Sequence, residues 1–236
     1  MDYFFTPPSL IGDRSLSIKG EELRHLSKVL RKKVGDLIYV VDGNECAYKV
    51  ILKSISRTVA EGDIQETFYR WNESDTEVRL AVAVLKNPSR FDFLVEKCTE
   101  LGVREIIPMR TERTIPTKIH SDRLQKIALS AMKQSGRSFL PPIHPPMDFP
   151  EVLSHLKMCD TKLIAHEKAD QGEGVRVRRG VEERVKTGGI LVGPEGGFTD
   201  EEFQSALAAG FKTLSLGSRR LRSETAAIAA VSLFLV

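Results

Sequence analysis

The sequence predicts an α/β protein in which a mostly parallel sheet is covered by helices, with a small β-rich unit ahead of it. Three observations carry this. From residue 77 onward, short apolar runs alternate with amphipathic helical stretches. Two of those runs end in glycine-bearing loops that lead directly into helices. Before residue 70, the chain instead reads as strands joined by a tight turn.

In the first unit, "GEELRHLSKVLRKKVGD" carries a short helix. Leu23, Leu26 and Leu30 form its apolar stripe, Arg24, Lys28 and Arg31 its polar face, and Gly35 its stop signal. "LIYVV" and "CAYKVILKSI" read as strands, and Asp42-Gly43-Asn44 between them is a hairpin signal. The polar, aperiodic stretch near residues 70 to 76 reads as a linker.

In the second unit, "EVRLAVAVL" reads as a buried strand. Ser89 to Leu101 is a helix with Leu94, Cys98 and Leu101 on one face and Gly102 at its end. "VREIIPM" is the next strand. "SDRLQKIALSAMKQSG" is a helix with Ser121 as N-cap and Gly136 as stop. "TKLIAHE", "GILVG" and "TLSLG" complete the strands, and "ETAAIAAVSLFLV" is an apolar helix that must be buried.

Composition narrows the class. With 236 residues, 41% hydrophobic and 28% charged, the chain suits a soluble globular protein of one or two domains. No run of about 18 apolar residues is present, so no membrane span is expected. The start, "MDYFFTPPSL", lacks a basic segment before an apolar one and does not read as a secretory signal. Cys46, Cys98 and Cys159 are far apart and odd in number, which predicts buried free thiols in a reducing cytoplasm. No metal-ligand spacing joins them to the five histidines, so no metal centre is expected. The net charge of +3 is small, but Arg24 to Lys33, Arg176 to Arg179 and Arg219 to Arg222 are basic clusters that suit a polyanion or a solvated face.

The two glycine loops carry the chemistry. "LVGPEGGFTDEE" runs from an apolar strand through Gly193, Gly196 and Gly197, which let a ligand approach the main chain. Thr199 and Glu202 then form a capping box that opens a helix. This is a poor phosphate loop. It lacks both G-x-G-x-x-G and the lysine of the P-loop, and Glu195 with three acids at the helix start repels anions. A neutral or cationic ligand fits better. The second loop, "LSLGSRRLRSETAA", places Arg219, Arg220, Arg222, Glu224 and Thr225 just before a buried helix. Two such loops at successive strand ends are expected either to form the walls of one pocket or to be tight strand-to-helix turns with no ligand.

Together the two loops resemble those of the ribosomal RNA small subunit methyltransferase E family, of the SPOUT class. "LRHLSKVLRKKVGD", "FLVEKCTELGVREIIPMRTER" and "SAMKQSGRSFLPPI" extend the resemblance over nearly the whole chain. It implies a SPOUT-type parallel sheet with a C-terminal trefoil knot over residues 73–236, and a PUA-like RNA-binding β-barrel over residues 1–72. It also implies a cytoplasmic homodimer that uses S-adenosylmethionine to methylate N3 of one uridine in 16S rRNA of the small ribosomal subunit. Carried over by position, Leu191, Gly193, Glu195, Gly196, Gly197, Leu216, Gly217, Leu221, Arg222 and Thr225 are expected to bind the cofactor. His166 either lines the same pocket or is a satisfied surface histidine.

For catalysis, Arg222 is expected to stabilise charge on the uracil carbonyls or to hold a phosphate. Glu224 is expected to act as general base, to orient Arg222, or simply to place negative charge at the positive end of the last helix. Arg24, Arg31 and Lys32 on the basic helix are expected to contact rRNA phosphates, with Arg90, Arg110, Arg113 and Arg137 extending that surface. A methyltransferase acting on tRNA or another rRNA site and a non-catalytic RNA-binding assembly factor are the competing readings.

Overall fold

The computed structural model describes residues 2–115, 118–166 and 185–235. The basic run Arg176 to Arg179 lies outside the described residues. The chain forms two compact units, Met1–Glu73 with Leu129–Leu140, and Ser74–Ala128 with Pro141–Val236. The sequence placed residues 129–140 in the second domain, but they cluster with the first. The reason is packing. Met132 is buried against Val41 and Ala47, flanked by Tyr3, Trp71, Leu129 and Leu140.

The first unit contains β1 (Tyr3–Phe5), β2 (Ser15–Ile18), α1 (Gly20–Arg24), β3 (Leu37–Val41), β4 (Cys46–Ile55) and β5 (Ala60–Tyr69). Its sheet has the order β1-β3-β4-β5-β2. Only β1 and β3 are parallel; the other pairs are antiparallel. The hairpin signal is realised through Asp42, whose Oδ1 accepts the N–H groups of Asn44 (2.7 Å) and Cys46 (3.0 Å). The basic helix is short. α1 passes into a π-helical turn over His25–Val29, and Arg31 takes a left-handed φ of 52°, so the helix stops before the expected Gly35. Leu23 and Leu26 are buried as the stripe predicted, with Leu30 packed at the edge of the same core. β1, β2 and β5 are strands the sequence did not single out. The first two are three and four residues long, and β5 is mostly polar.

The second unit contains β6 (Glu77–Ala83), α2 (Pro88–Leu101), β7 (Glu105–Arg110), the start of α3 (Ser121–Ser135), β8 (Met147–Asp148), α4 (Phe149–His155), β9 (Thr161–Ala165), β10 (Thr187–Val192), α5 (Asp200–Ala208), β11 (Lys212–Leu214) and α6 (Ser223–Leu235). All strands of its sheet are parallel, in the order β11-β9-β10-β6-β7-β8. α2 begins one residue before the expected Ser89, because the Asn87 side chain caps it by accepting the Ser89 N–H at 3.0 Å. β10 runs through the sheet between β9 and β6 and is buried from Gly188 to Val192. Ala81, Ile107, Ile164 and Leu191 share a core with Val152 of α4, Leu156 just after it and Ala206 of α5. α6 packs against α2, β6 and β10. Gly188 makes this possible, since a Cβ there would fall 2.7 Å from the Phe234 ring. Cys98 and Cys159 are buried free thiols, and burial pushes both up in pKa. Among the described residues, no helix is long and apolar enough to cross a membrane.

Candidate functional site

β11, β9 and β10 are neighbours, and their carboxyl ends supply Leu214, Ala165 and Val192 to the wall of one pocket of about 500 Å³. That volume suits a small-molecule ligand. The loop after β10 contributes Gly193 to Phe198, and the loop after β11 contributes Leu216, Gly217 and Arg219 to Ser223. The two loops flank β9, so they converge from either side of the same strand end. His166, which follows β9, also lines the pocket, with its ring 4.3 Å from that of Phe203.

Local chemistry sets the shape of the first loop. Gly193 lies under Phe198, where a Cβ would sit 3.1 Å from the ring. Gly197 has a φ of 71°, a conformation that costs an L side chain about 1–2 kcal/mol. Its N–H closes a turn onto the Pro194 carbonyl at 2.9 Å. α5 then starts on a complete capping box. The Thr199 hydroxyl accepts the Glu202 N–H at 3.2 Å, and Glu202 Oε2 accepts the Thr199 N–H at 2.9 Å.

The pocket lining carries both signs of charge. The first loop brings Glu195 and Asp200, and the second brings Arg219, Arg220 and Arg222. Two arginines hold the first loop by its main chain. Arg113 Nη1 donates to the carbonyls of Gly196 (2.9 Å) and Phe198 (3.2 Å), and Arg220 Nη2 donates to the Glu195 carbonyl (3.3 Å). The arrangement offers open main chain and carboxylates together with guanidinium donors in one pocket. It can hold a positively charged or neutral ligand beside a group that develops negative charge.

Comparison with known proteins places this geometry. A model of an RNA methyltransferase domain matches residues 72–235, and a model of an RNA methyltransferase PUA domain matches residues 18–64. The ribosomal RNA small subunit methyltransferase E of Synechocystis sp. is 33% identical over 95% of this chain and 74% of its own length. The chain belongs to the ribosomal RNA small subunit methyltransferase E family. The Bacillus subtilis member is 29% identical over 92% of this chain and 88% of its own. A crystal structure of the Neisseria gonorrhoeae member bound to S-adenosyl methionine superposes with a TM-score of 0.83 at 33% identity, covering 98% of this chain and 95% of that one.

Of the cofactor residues expected from the family resemblance, Gly193, Glu195, Gly196, Gly197, Leu216, Gly217, Leu221 and Arg222 line the pocket together. Leu191 does not; it is fully buried one residue behind the lining, in the core with α4 and α5. Thr225 is exposed and also outside the lining. Glu224 lies apart from these residues. It is 7% exposed on the first turn of α6, outside the pocket lining, and its Oε1 lies 3.7 Å from Arg90 Nε. Its Oε2 is buried without a hydrogen-bond partner. Of the three roles expected for it, this position matches negative charge at the positive end of the last helix, with Arg90 of α2 as its partner.

The expected RNA-contacting residues separate in the same way. Arg24 and Arg31 are exposed, and Lys32 is half-buried 3.8 Å from Asp2. Arg90 is the partner of Glu224, and Arg110 is paired with Asp148 at 2.6 Å. Arg113 lines the pocket. Arg137 is not a surface group at all; it is 2% exposed and ion-paired with Glu73.

A second polar cluster lies at the amino ends of the strands and was not foreseen. Glu105, at the start of β7, accepts from His144 Nε2 at 2.6 Å and His155 Nε2 at 3.0 Å, with Arg79 Nε 3.6 Å away. Burial alone would raise the Glu105 pKa, but the hydrogen bonds and charge of the two histidines bring it below the ordinary carboxylate value. The three donor atoms lie within 4.8 Å of one another, close enough to hold a metal ion, an arrangement the residue spacing did not reveal. Both carboxylate oxygens already carry a histidine, so the group is self-sufficient as a clasp between β7, the segment around His144 and α4.

Proposed function

We propose that this chain methylates N3 of one specific uridine in 16S rRNA of the small ribosomal subunit. The chain is an S-adenosylmethionine-dependent rRNA methyltransferase, by its RNA methyltransferase domain and its relatives. The observation that carries the reading is the convergence of two glycine loops, from strands on either side of β9, on one pocket lined by both carboxylates and guanidinium groups.

The residues present fit the cofactor. Gly197 and Gly217 have nothing within 4 Å of where a Cβ would sit, so the main chain is open to a ligand there. Glu195 and Asp200 offer carboxylates to a cation, beside Arg113, Arg219, Arg220 and Arg222 in the same lining. S-adenosylmethionine supplies an electrophilic methyl group on a sulfonium and carries no phosphate. Uracil N3 would first give its proton to solvent water, leaving an imide anion with negative charge on the ring carbonyls, and that charge would be neutralised as the N3–methyl bond forms and the sulfur–methyl bond breaks. In this proposal Arg222, exposed at the pocket wall, donates to a carbonyl oxygen and stabilises that charge. The loops position the base and exclude water.

The proposal extends to assembly. It includes a trefoil knot in the second unit, a PUA-like barrel in the first, phosphate contacts from Arg24, Arg31 and Lys32, and a cytoplasmic homodimer. Support for the dimer comes from α6, which is apolar on nearly every side yet leaves Leu233 36% exposed.

The test is methyl transfer from labelled S-adenosylmethionine to small subunits from cells lacking this protein, with naked 16S rRNA and tRNA alongside. Label on N3 of one uridine in the subunit is expected. Label on tRNA alone would overturn the substrate assignment. No transfer together with no cofactor binding would leave the RNA-binding assembly factor as the better description.

A further inference from the structure

We propose that Arg113 is a positioning residue that sets cofactor affinity by clamping the first glycine loop from the end of β7. This rests on the cofactor reading above. The turn after β7 is rigid in its own right. The Thr114 hydroxyl accepts the Thr111 N–H at 2.9 Å, the two threonine hydroxyls lie 2.9 Å apart, and the Thr114 N–H returns to the Thr111 carbonyl at 3.0 Å. From this turn two attachments cross to the loop. Arg113 Nη1 takes the Gly196 and Phe198 carbonyls, and the Glu112 N–H donates to Glu202 Oε1 at 2.8 Å. The arginine also packs along the loop. A Cβ on Gly196 would lie 3.5 Å from both Arg113 Cβ and Cδ, so the glycine rests in contact with the aliphatic stem.

The carbonyls that Arg113 holds flank Gly197, the residue with positive φ. A loop with three glycines has many conformations, and a ligand that must select one loses affinity in proportion to how rarely it is populated. Hydrogen bonds from a charged donor to two carbonyls on either side of the most permissive residue remove much of that freedom before the ligand arrives. Glu202 ties the same turn to the start of α5, so the second half of the loop and the helix that follows it are held by one element. Arg113 therefore acts on the cofactor through the loop, and through it the carboxyl end of β7 becomes part of the site.

The experiment compares wild type, Arg113→Ala and Arg113→Lys by calorimetric titration with S-adenosylmethionine and with 5′-methylthioadenosine, which lacks the amino-acid end. The expected result is a loss of about tenfold in affinity for both ligands in the alanine variant, from a freed loop. Lysine, which can still reach one carbonyl, recovers part of it. In turnover the loss falls on the cofactor KM rather than on kcat. Unchanged affinity in the alanine variant would overturn the clamp. So would a loss for S-adenosylmethionine with none for methylthioadenosine, because Arg113 would then act by direct contact with the amino-acid end. Failure of the wild type itself to bind S-adenosylmethionine would instead remove the functional reading beneath it.

Discussion

Glu73 and Arg137 form a buried ion pair, with Arg137 Nη2 2.6 Å from Glu73 Oε2 and side-chain exposures of 3% and 6%. Glu73 Oε1 also accepts the N–H groups of Ser138 and Phe139, each at 3.0 Å. One carboxylate thus fastens residues 137–139 to the end of the first unit's main segment. Removing one partner leaves a buried charge uncompensated, which costs about 3–5 kcal/mol. Arg137→Ala is therefore expected to lower the unfolding free energy by roughly that amount in urea titration. Unchanged stability with weakened RNA binding would return Arg137 to the RNA-contacting group.

Arg222 and Glu224 are two residues apart in sequence but serve different surroundings. Arg222→Ala is expected to reduce methyl transfer by about 10²–10³-fold, the range for removing one donor to a developing anion. Glu224→Gln is expected to retain turnover, since its carboxylate faces Arg90 and lies outside the pocket lining. Single-turnover rates at saturating cofactor separate the two. Loss of turnover in the glutamine variant, with cofactor still bound, would restore the base assignment.

The clasp of Glu105 with His144 and His155 gives a pH dependence of definite sign. The folded-state pKa of Glu105 lies below its ordinary value of 4.5. The unfolded chain then binds more protons in that range, so the contribution is complete above about pH 5 and is lost as pH falls through the depressed value. Denaturant titrations from pH 7 to pH 3 should show this decline in the wild type. Glu105→Gln should be less stable at pH 7 and decline less steeply below pH 5. Parallel curves for the two proteins would exclude Glu105 as the source.

Arg24 and Arg31 are exposed on and just beyond the basic helix. Reversing both to glutamate is expected to weaken binding to the small-subunit RNA and to reduce the slope of log K against log salt by about 2, one for each phosphate no longer neutralised. Thermal stability should change little, because neither side chain is buried. An unaltered slope would place the RNA elsewhere.

Much of the second unit was legible because its signals are local. The apolar runs, the Thr199–Glu202 box and the two glycine loops are each read from neighbouring residues, and the structure realises each. What was illegible depends on distant partners. Arg113 looked like any exposed basic residue, and its carbonyl acceptors lie 83 and 85 positions away. Arg137 looked like part of a basic surface, but its carboxylate is 64 residues upstream. Glu105, His144 and His155 have no common spacing, and only the folding of β7 and α4 brings them together. In the first unit, β5 was missed because its outward-facing Glu61, Gln65 and Glu66 mask the period of a strand that pairs on both sides.

Glu202 divides its two oxygens between the helix it opens and the Glu112 N–H of the turn after β7. That division has an evolutionary consequence. The donor at position 112 is main chain, so the side chain there can drift freely among relatives. Position 202 has no such latitude, because one codon change would loosen a helix start and a loop anchor together. Substitutions at 202 should therefore be tolerated only in lineages that have also altered position 199 or the 111–114 turn, and aligned relatives should record these positions as a correlated set.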